Sequence, residues 1–290
     1  GAFPTVENHI KRMLLVSDNT AFTRLYEFVG YDHSHTRLKK MGFSNIRLFN
    51  RLSPLCQGDT AAVTPPVYFL NLKGDTVYKQ APAIGTTTLT HPVKYSLAGS
   101  AHVGPEGKRI RGPRDFSRHN YFHISDLHRF MKKLVFNENA EAKDKLPVTN
   151  EERKFLIEQM GKYPRESEYP LYDKKTYYDS FKKYLVYGSS VATIRQDSLR
   201  IINIVGRAYG FLIDCAYIID MKNRTEFLIT AALYVNERNI IGSGKYEYDQ
   251  LGLPFLKALG EVMSSYENVR KREHRPDLSE YMEIFKYNSQ

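Results

Sequence analysis

No tryptophan occurs in the 290 residues, and cysteine occurs only twice, as Cys56 and Cys215. Two thiols exclude a disulfide framework and a cysteine-based zinc site, and leave room for one bridge at most. No apolar run approaches the roughly 18 residues that a membrane-spanning helix requires. The opening Gly1-Ala2-Phe3-Pro4 lacks the basic start and apolar stretch of a signal peptide, so an export signal, where one exists, is expected upstream. Glycine (18) and proline (13) stand at ordinary levels, which excludes collagen-like and low-complexity chains. Acidic residues fall short of basic ones, 32 against 42, for a formal net charge of +10. A surface of that sign favours anionic partners (nucleic acid, acidic lipid, anionic envelope polymers) without choosing among them. At about 150 residues per domain, the length fits one large domain or two modest ones. Such a chain buries roughly three quarters of its unfolded surface and needs no metal or disulfide staple.

Apolar residues at helical spacing (Val6, Ile10, Met13, Leu14) predict an opening helix that stops at Ser17-Asp18-Asn19. A second helix follows, with Phe22, Leu25, Tyr26 and Val29 on one face and Gly30 at its end. Residues 43–122 read as an insertion of short strands (67–72, 76–78, 86–89, 93–97) broken by Pro and Gly. Its basic stretch, Lys108, Arg109, Arg111, Arg114 and Arg118, reads as a solvated loop, because no nucleic-acid-binding motif accompanies it. Helices are expected at 124–136, capped by Ser125, and after Thr149, where Glu152 completes a capping-box spacing. A short amphipathic helix is expected at 177–187, closed by Gly188. Three β-branched runs, 200–205, 210–221 and 226–235, predict an antiparallel meander, followed by a helix over 254–270. Two regions result: 1–195, helical with the insertion, and 196–290, sheet plus C-terminal helix, forming one unit.

The order helix, Ser17-Asp18-Asn19, helix, then a late strand reaching Val205-Gly206, resembles the serine β-lactamase and penicillin-binding protein superfamily. It lies nearest the class A β-lactamase-like branch. Two stretches carry the likeness, Met13-Leu14-Leu15-Val16-Ser17-Asp18-Asn19-Thr20-Ala21 and Asn203-Ile204-Val205-Gly206-Arg207-Ala208-Tyr209-Gly210. The strand and helix that follow match as well; residues of the β-prone middle do not. Such proteins place S-x-x-K, S-D-N and K-T-G around one groove. The resemblance implies an α/β (α+β) fold of the β-lactamase/transpeptidase type: an antiparallel sheet flanked by helices, a helical region, and here a β-rich insertion. It implies Ser17 as the hydroxyl relaying a proton to the leaving nitrogen, and Asn19 as the amide that holds substrate and the catalytic lysine. Asp18 would shape the turn. Gly206 would let substrate lie along the strand, with Ile204 and Val205 beside it and the Arg207 N–H at the oxyanion position.

Departures from the pattern are as informative. Ile204 and Val205 stand where the family has the lysine and hydroxyl of K-T-G, so Arg207, Arg200 or Arg195 would have to supply a cation. The one S-x-x-K, Ser180 to Lys183, follows S-D-N instead of preceding it and reads as coincidence. Glu166 and Glu168 fall in the wrong place for the Ω-loop glutamate. The family reading is therefore a hydrolase of β-lactams or peptidoglycan-type peptides that is truncated or degenerate. The alternative is a non-catalytic relative binding cell-wall or other anionic ligands. An exported, envelope-associated bacterial protein is implied, with a small-molecule or peptidoglycan-type partner, no nucleic acid and no cofactor. His119, His123 and His128 read as solvated histidines, not metal ligands, and Gly242-Ser243-Gly244-Lys245 lacks P-loop spacing.

Overall fold

A computed structural model describes residues 4–52, 62–90 and 92–287, so Cys56 lies outside the described residues. Helix α1 (Val6–Val16) begins where the Thr5 side chain accepts from the Asn8 N–H. Helix α2 (Asn19–Val29) follows after two residues and ends at Gly30, whose φ of +84° a β-carbon would disfavour. The same glycine opens α3 (Tyr31–Lys40), a helix the sequence reading passed over. Its residues Tyr-Asp-His-Ser-His-Thr-Arg-Leu-Lys-Lys carry too few apolar side chains to show a 3.6 period.

Within the insertion, β1 (Val63–Thr64) pairs with β4 (Ala83–Ile84), enclosing the hairpin of β2 (Val67–Leu70) and β3 (Thr76–Gln80). Then β5 (Leu97–Ala98) pairs with β8 (Arg114–Asp115), and β6 (Ala101–Val103) with β7 (Arg109–Arg111). The expected strand at 86–89 does not form. The Thr86 and Thr87 N–H groups are taken by the Asp32 carboxylate at the start of α3, so no strand can compete for them. The 93–97 strand shrinks to β5 alone, and the basic stretch supplies β7 and β8 in place of a simple loop. Arg114 packs over the rings of Phe116 and Tyr209, fastening the insertion to a hairpin tip of the main sheet.

Helix α4 (Ile124–Val135) is capped by His123, not Ser125: the His123 ring accepts from the Ser125 N–H. Helix α5 (Asn150–Gly161) carries the expected capping box, with Thr149 and Glu152 bonding each other's backbone N–H. The meander comprises β9 (Leu199–Ala208), β10 (Phe211–Asp220) and β11 (Thr225–Tyr234), in the order β11-β10-β9. Strand β9 runs through Gly206, so the turn is Tyr209-Gly210 and not the four residues 206–209. Both turn residues have positive φ, the two-residue geometry whose twist suits a hairpin. After β12 (Ile240–Ile241), parallel to β6, come α6 (Leu253–Val269) and a short α7 (Ser279–Ile284).

Strand β10 is buried on both faces, and the sheet separates two cores. Cys215, Tyr217 and Ile219 face α4, α5 and α7, in a cluster with Met131, Ile157 and Tyr281. Leu212, Ala216 and Ile218 face α6 and the turns of 177–188, in a cluster with Tyr184, Leu185 and Leu256. Cys215 is a free thiol in the first core, accepting from the Thr230 hydroxyl. Helix α1 packs on α5 and α5 on β9, which carries the Ser17-Asp18-Asn19 turn to the open edge of the sheet.

Helix α6 approaches the 177–188 turns so closely that a β-carbon on Gly260 would sit 2.3 Å from the Val186 backbone nitrogen. Gly260→Ala is therefore expected to cost about 1–3 kcal/mol through overpacking, read as a lower urea midpoint with an unchanged m-value.

Candidate active site

The turn between α1 and α2 is built by Asp18. Its Oδ1 accepts from the Ala21 N–H at 2.9 Å, capping α2, and its Oδ2 accepts from Arg12 Nε at 3.0 Å. Burial alone would raise the Asp18 carboxyl, but the Ala21 N–H and the Arg12 guanidinium outweigh it and hold the group below its ordinary value. Ser17 ends α1 in the left-handed region at φ +59°, which turns its side chain out of the helix stack. Ser17 and Asn19 are exposed, and their side chains have no hydrogen-bond partner among the described residues. Asp18 spends its oxygens on the fold, whereas Ser17 and Asn19 keep theirs free.

Opposite lies β9, the edge strand. The Tyr209-Gly210 turn makes Ala208 and Phe211 the closing hydrogen-bonded pair. Counting back from it, Leu199, Ile201, Asn203, Val205 and Arg207 turn their backbone groups to the open edge. The Tyr163 hydroxyl takes the Leu199 carbonyl at 3.0 Å, and Lys183 Nζ takes the Ile201 carbonyl at 2.7 Å. Beyond them the backbone groups of Asn203, Val205 and Arg207 have no partner on that side among the described residues.

These two walls meet. A cavity of about 290 Å³ is lined by Met13, Leu14, Leu15, Phe22 and Leu52, by Ser17, Asp18 and Asn19, by Asn203, Ile204 and Val205, and by Lys182 and Lys183. The sequence pattern of the beta-lactamase enzyme family matches residues 1–239, across the insertion as well. This chain belongs to that family. Among curated proteins no sequence matches it. The mixed architecture, helices packed on both faces of an antiparallel sheet, is that of the β-lactamase fold.

Seen in the β-lactamase frame, Ile204 and Val205 share the cavity with Ser17 and Asn19, while Gly206 and Arg207 continue the same edge just past its lining. A β-carbon on Gly206 would come no nearer than 4.0 Å to anything, so the protein itself leaves that surface clear. The arginines weighed as replacement cations lie elsewhere. Arg200 is buried between the rings of Tyr163 and Phe285 and binds Glu166; with Glu168 they line a separate cavity. Arg207 stacks on Tyr248, and Arg195 is exposed outside the cavity. The histidines also part company: His119 packs with Phe116 and Tyr209, His123 caps α4, and His128 bonds the Thr230 hydroxyl.

The largest correction concerns residues 177–187. No helix forms there; the chain makes successive tight turns, with Lys182, Val186, Gly188 and Ser189 at positive φ. Ser180 is sealed, donating to the Val191 carbonyl and accepting from the Val191 N–H, so it is no nucleophile. Reading Ser180 to Lys183 as a chance S-x-x-K therefore fits the serine, but Lys183 borders the cavity. Its ammonium is fully buried and donates to the carbonyls of Met160 and Ile201 and to Asn203 Oδ1. Asn203 Nδ2 donates in turn to the Lys182 carbonyl and to Asp214 Oδ1, each at 2.9 Å. Asp214 Oδ2 accepts from the N–H groups of Tyr184 and Leu185. A helix over these residues would have spent the Tyr184 and Leu185 N–H groups on itself and taken from buried Asp214 two of its three donors. Burial pushes Lys183 down to about 7 and Asp214 up to about 6. Lys182 went unnoticed in the sequence, and Lys183 was read only as part of a chance S-x-x-K, because nothing local marks a lysine for burial.

Removing the cap by Asp18→Ala is expected to lower stability by about 1–2 kcal/mol in chemical denaturation, while Asp18→Asn, which still caps, loses less than half of that. Asp214 ionises above its unfolded value, so the folded state holds the extra proton. Stability is then expected to fall as pH rises from about 4 to about 6, by about 3 kcal/mol for this group. Melting curves of Asp214→Asn across that range should lose this limb, whatever the variant's absolute stability.

Proposed function

We propose that the groove between the Ser17-Asp18-Asn19 turn and the β9 edge binds an acyl amide, a β-lactam or a peptidoglycan-type peptide, as an added strand. The observation that carries this reading is the single cavity shared by Ser17, Asn19, Ile204 and Val205 beside unpartnered strand backbone. An extended amide laid on β9 would exchange hydrogen bonds with Val205 and Arg207, with Gly206 leaving room for close approach. Asn19, which lines the cavity, would hold the ligand's amide. Ser17, on the same wall, would pass a proton to a departing nitrogen. The Arg207 N–H supports the role of a donor to a developing oxyanion.

Ser17 is the one hydroxyl among the described residues of the cavity, and no base hydrogen-bonds it. The described groove is thus equipped to bind and to relay a proton, and an acyl-enzyme step needs a nucleophile beyond this set. The reading includes an envelope location, supported by the family. A second reading, a binding protein without turnover, is favoured by the apolar Ile204 and Val205 where relatives carry lysine and a hydroxyl.

Chromogenic cephalosporin turnover and fluorescent-penicillin labelling separate the two. This chain alone is expected to bind peptidoglycan fragments with little or no turnover. Turnover that appears when any residues encoded before Gly1 are included would favour the hydrolase, and silence in both forms with retained binding would favour the binding protein. No binding of either ligand class would overturn both readings.

A further inference from the structure

The hairpin of β2 and β3 has two unlike faces. On the inner face Phe69 and Tyr78 sit opposite each other and pack on Phe28 of α2, at 5.1 and 6.1 Å between ring centres. Gln80 Nε2 donates to the Glu27 carbonyl, so the base of the hairpin is fixed to the body of the molecule. The outer face carries Tyr68 opposite Lys79, and Leu70 opposite Thr76. Register slips between Phe69 and Leu70, which makes Val77 the extra residue of a bulge. The apex is a fixed turn: Asn71 Oδ1 accepts from the N–H groups of Lys73 and Asp75, and Gly74, at φ +90°, donates to the Asn71 carbonyl. Leu72 stands at its summit. Leu70, Val77 and Leu72 are 59, 65 and 81% exposed. The solvent face of an antiparallel pair is ordinarily polar, and this one is apolar with a leucine at its tip.

The charges around this face have one sign. The hairpin's one acid, Asp75, is engaged by Asn71 Nδ2, whereas Lys73 and Lys79 make no ion pair among the described residues. Lys79 Nζ lies 5.7 Å from the centre of the Tyr68 ring. Across residues 62–122 eight basic residues stand against three acidic ones, half of the chain's excess in about a fifth of its length. A leucine summit offers nothing to a nucleic acid, and a convex face of a few side chains falls short of the roughly 800 Å² per partner that a stable protein interface buries. A bilayer asks for less: apolar side chains enter the acyl boundary, tyrosine rests at headgroup level, and lysines reach back to the phosphates. We propose that the β2–β3 hairpin docks this protein on an anionic phospholipid surface, with Leu70, Leu72 and Val77 entering the interface and Lys73 and Lys79 meeting the headgroup phosphates. The assignment rests on this face alone and is independent of what the groove binds.

Vesicle flotation of the whole chain tests it, with phosphatidylcholine alone and with phosphatidylglycerol mixed in at one part to two. Partition into the mixed vesicles is expected to be stronger by about tenfold or more and to weaken as salt rises. Leu70→Ser combined with Leu72→Ser should cut that partition by about tenfold or more, and Lys73→Gln combined with Lys79→Gln by about tenfold. Melting temperatures should stay unchanged, because all four side chains are exposed. Absence of flotation, or equal flotation with both kinds of vesicle, would overturn the proposal. So would folded hairpin variants that float as well as the unaltered protein, since the contact would then lie elsewhere. Displacement by soluble glycerophosphate at matched ionic strength would assign the lysines to a phosphate site and overturn the bilayer.

Discussion

The carboxamide of Asn203 joins three pieces of chain that would otherwise have no reason to meet. Its oxygen receives the Lys183 ammonium, and its two N–H bonds go to Asp214 at the sheet centre and to the Lys182 carbonyl. Two charges are removed from water at this point, a step that costs several kcal/mol per ion unless each hydrogen-bonding site is met. Lys183 has three acceptors and Asp214 three donors, so the requirement is satisfied. What the lattice provides is placement: it fixes successive left-handed turns against the sheet and so decides which lysine is buried and which faces the groove.

The same economy of placement governs the opposite wall. Asp18 shapes the turn, as the resemblance implies, and both its oxygens serve it, one capping α2 and one holding Arg12 of α1. With the turn fixed, Ser17 and Asn19 present polar groups that no described residue takes up. The path from α1 through α5 to β9 then sets the width of the groove, and the insertion, clasped to Tyr209 through Arg114, braces the far end of the same strand. Each wall therefore has its own internal scaffold, and polar groups that line the cavity are left over on both.

Periodicity and capping chemistry act over a few residues, and elements governed by them were legible. The α1–α2 turn, the Thr149 capping box and the three-strand meander all have local signals: a capping side chain, a glutamate three residues on, β-branched runs parted by turn residues. Signals failed where a distant partner competed for the backbone. Thr86 and Thr87 look like strand residues until Asp32, more than fifty positions earlier, takes their N–H groups. Tyr177 to Gly188 looks amphipathic until Asn203 and Asp214 call for its turns.

What the sequence determined by itself was the family likeness, the helix–turn–helix that carries Ser17 and Asn19, and the strand that carries Gly206, because each depends on neighbours within one or two turns of chain. Only the tertiary structure decided that these face one cavity, that Lys183 is sealed while Lys182 is open, and that Arg200 belongs to another site. The reason is physical: burial and charge pairing are properties of the assembled core, and a residue's letter carries no record of which distant carbonyl or carboxylate will be there to meet it.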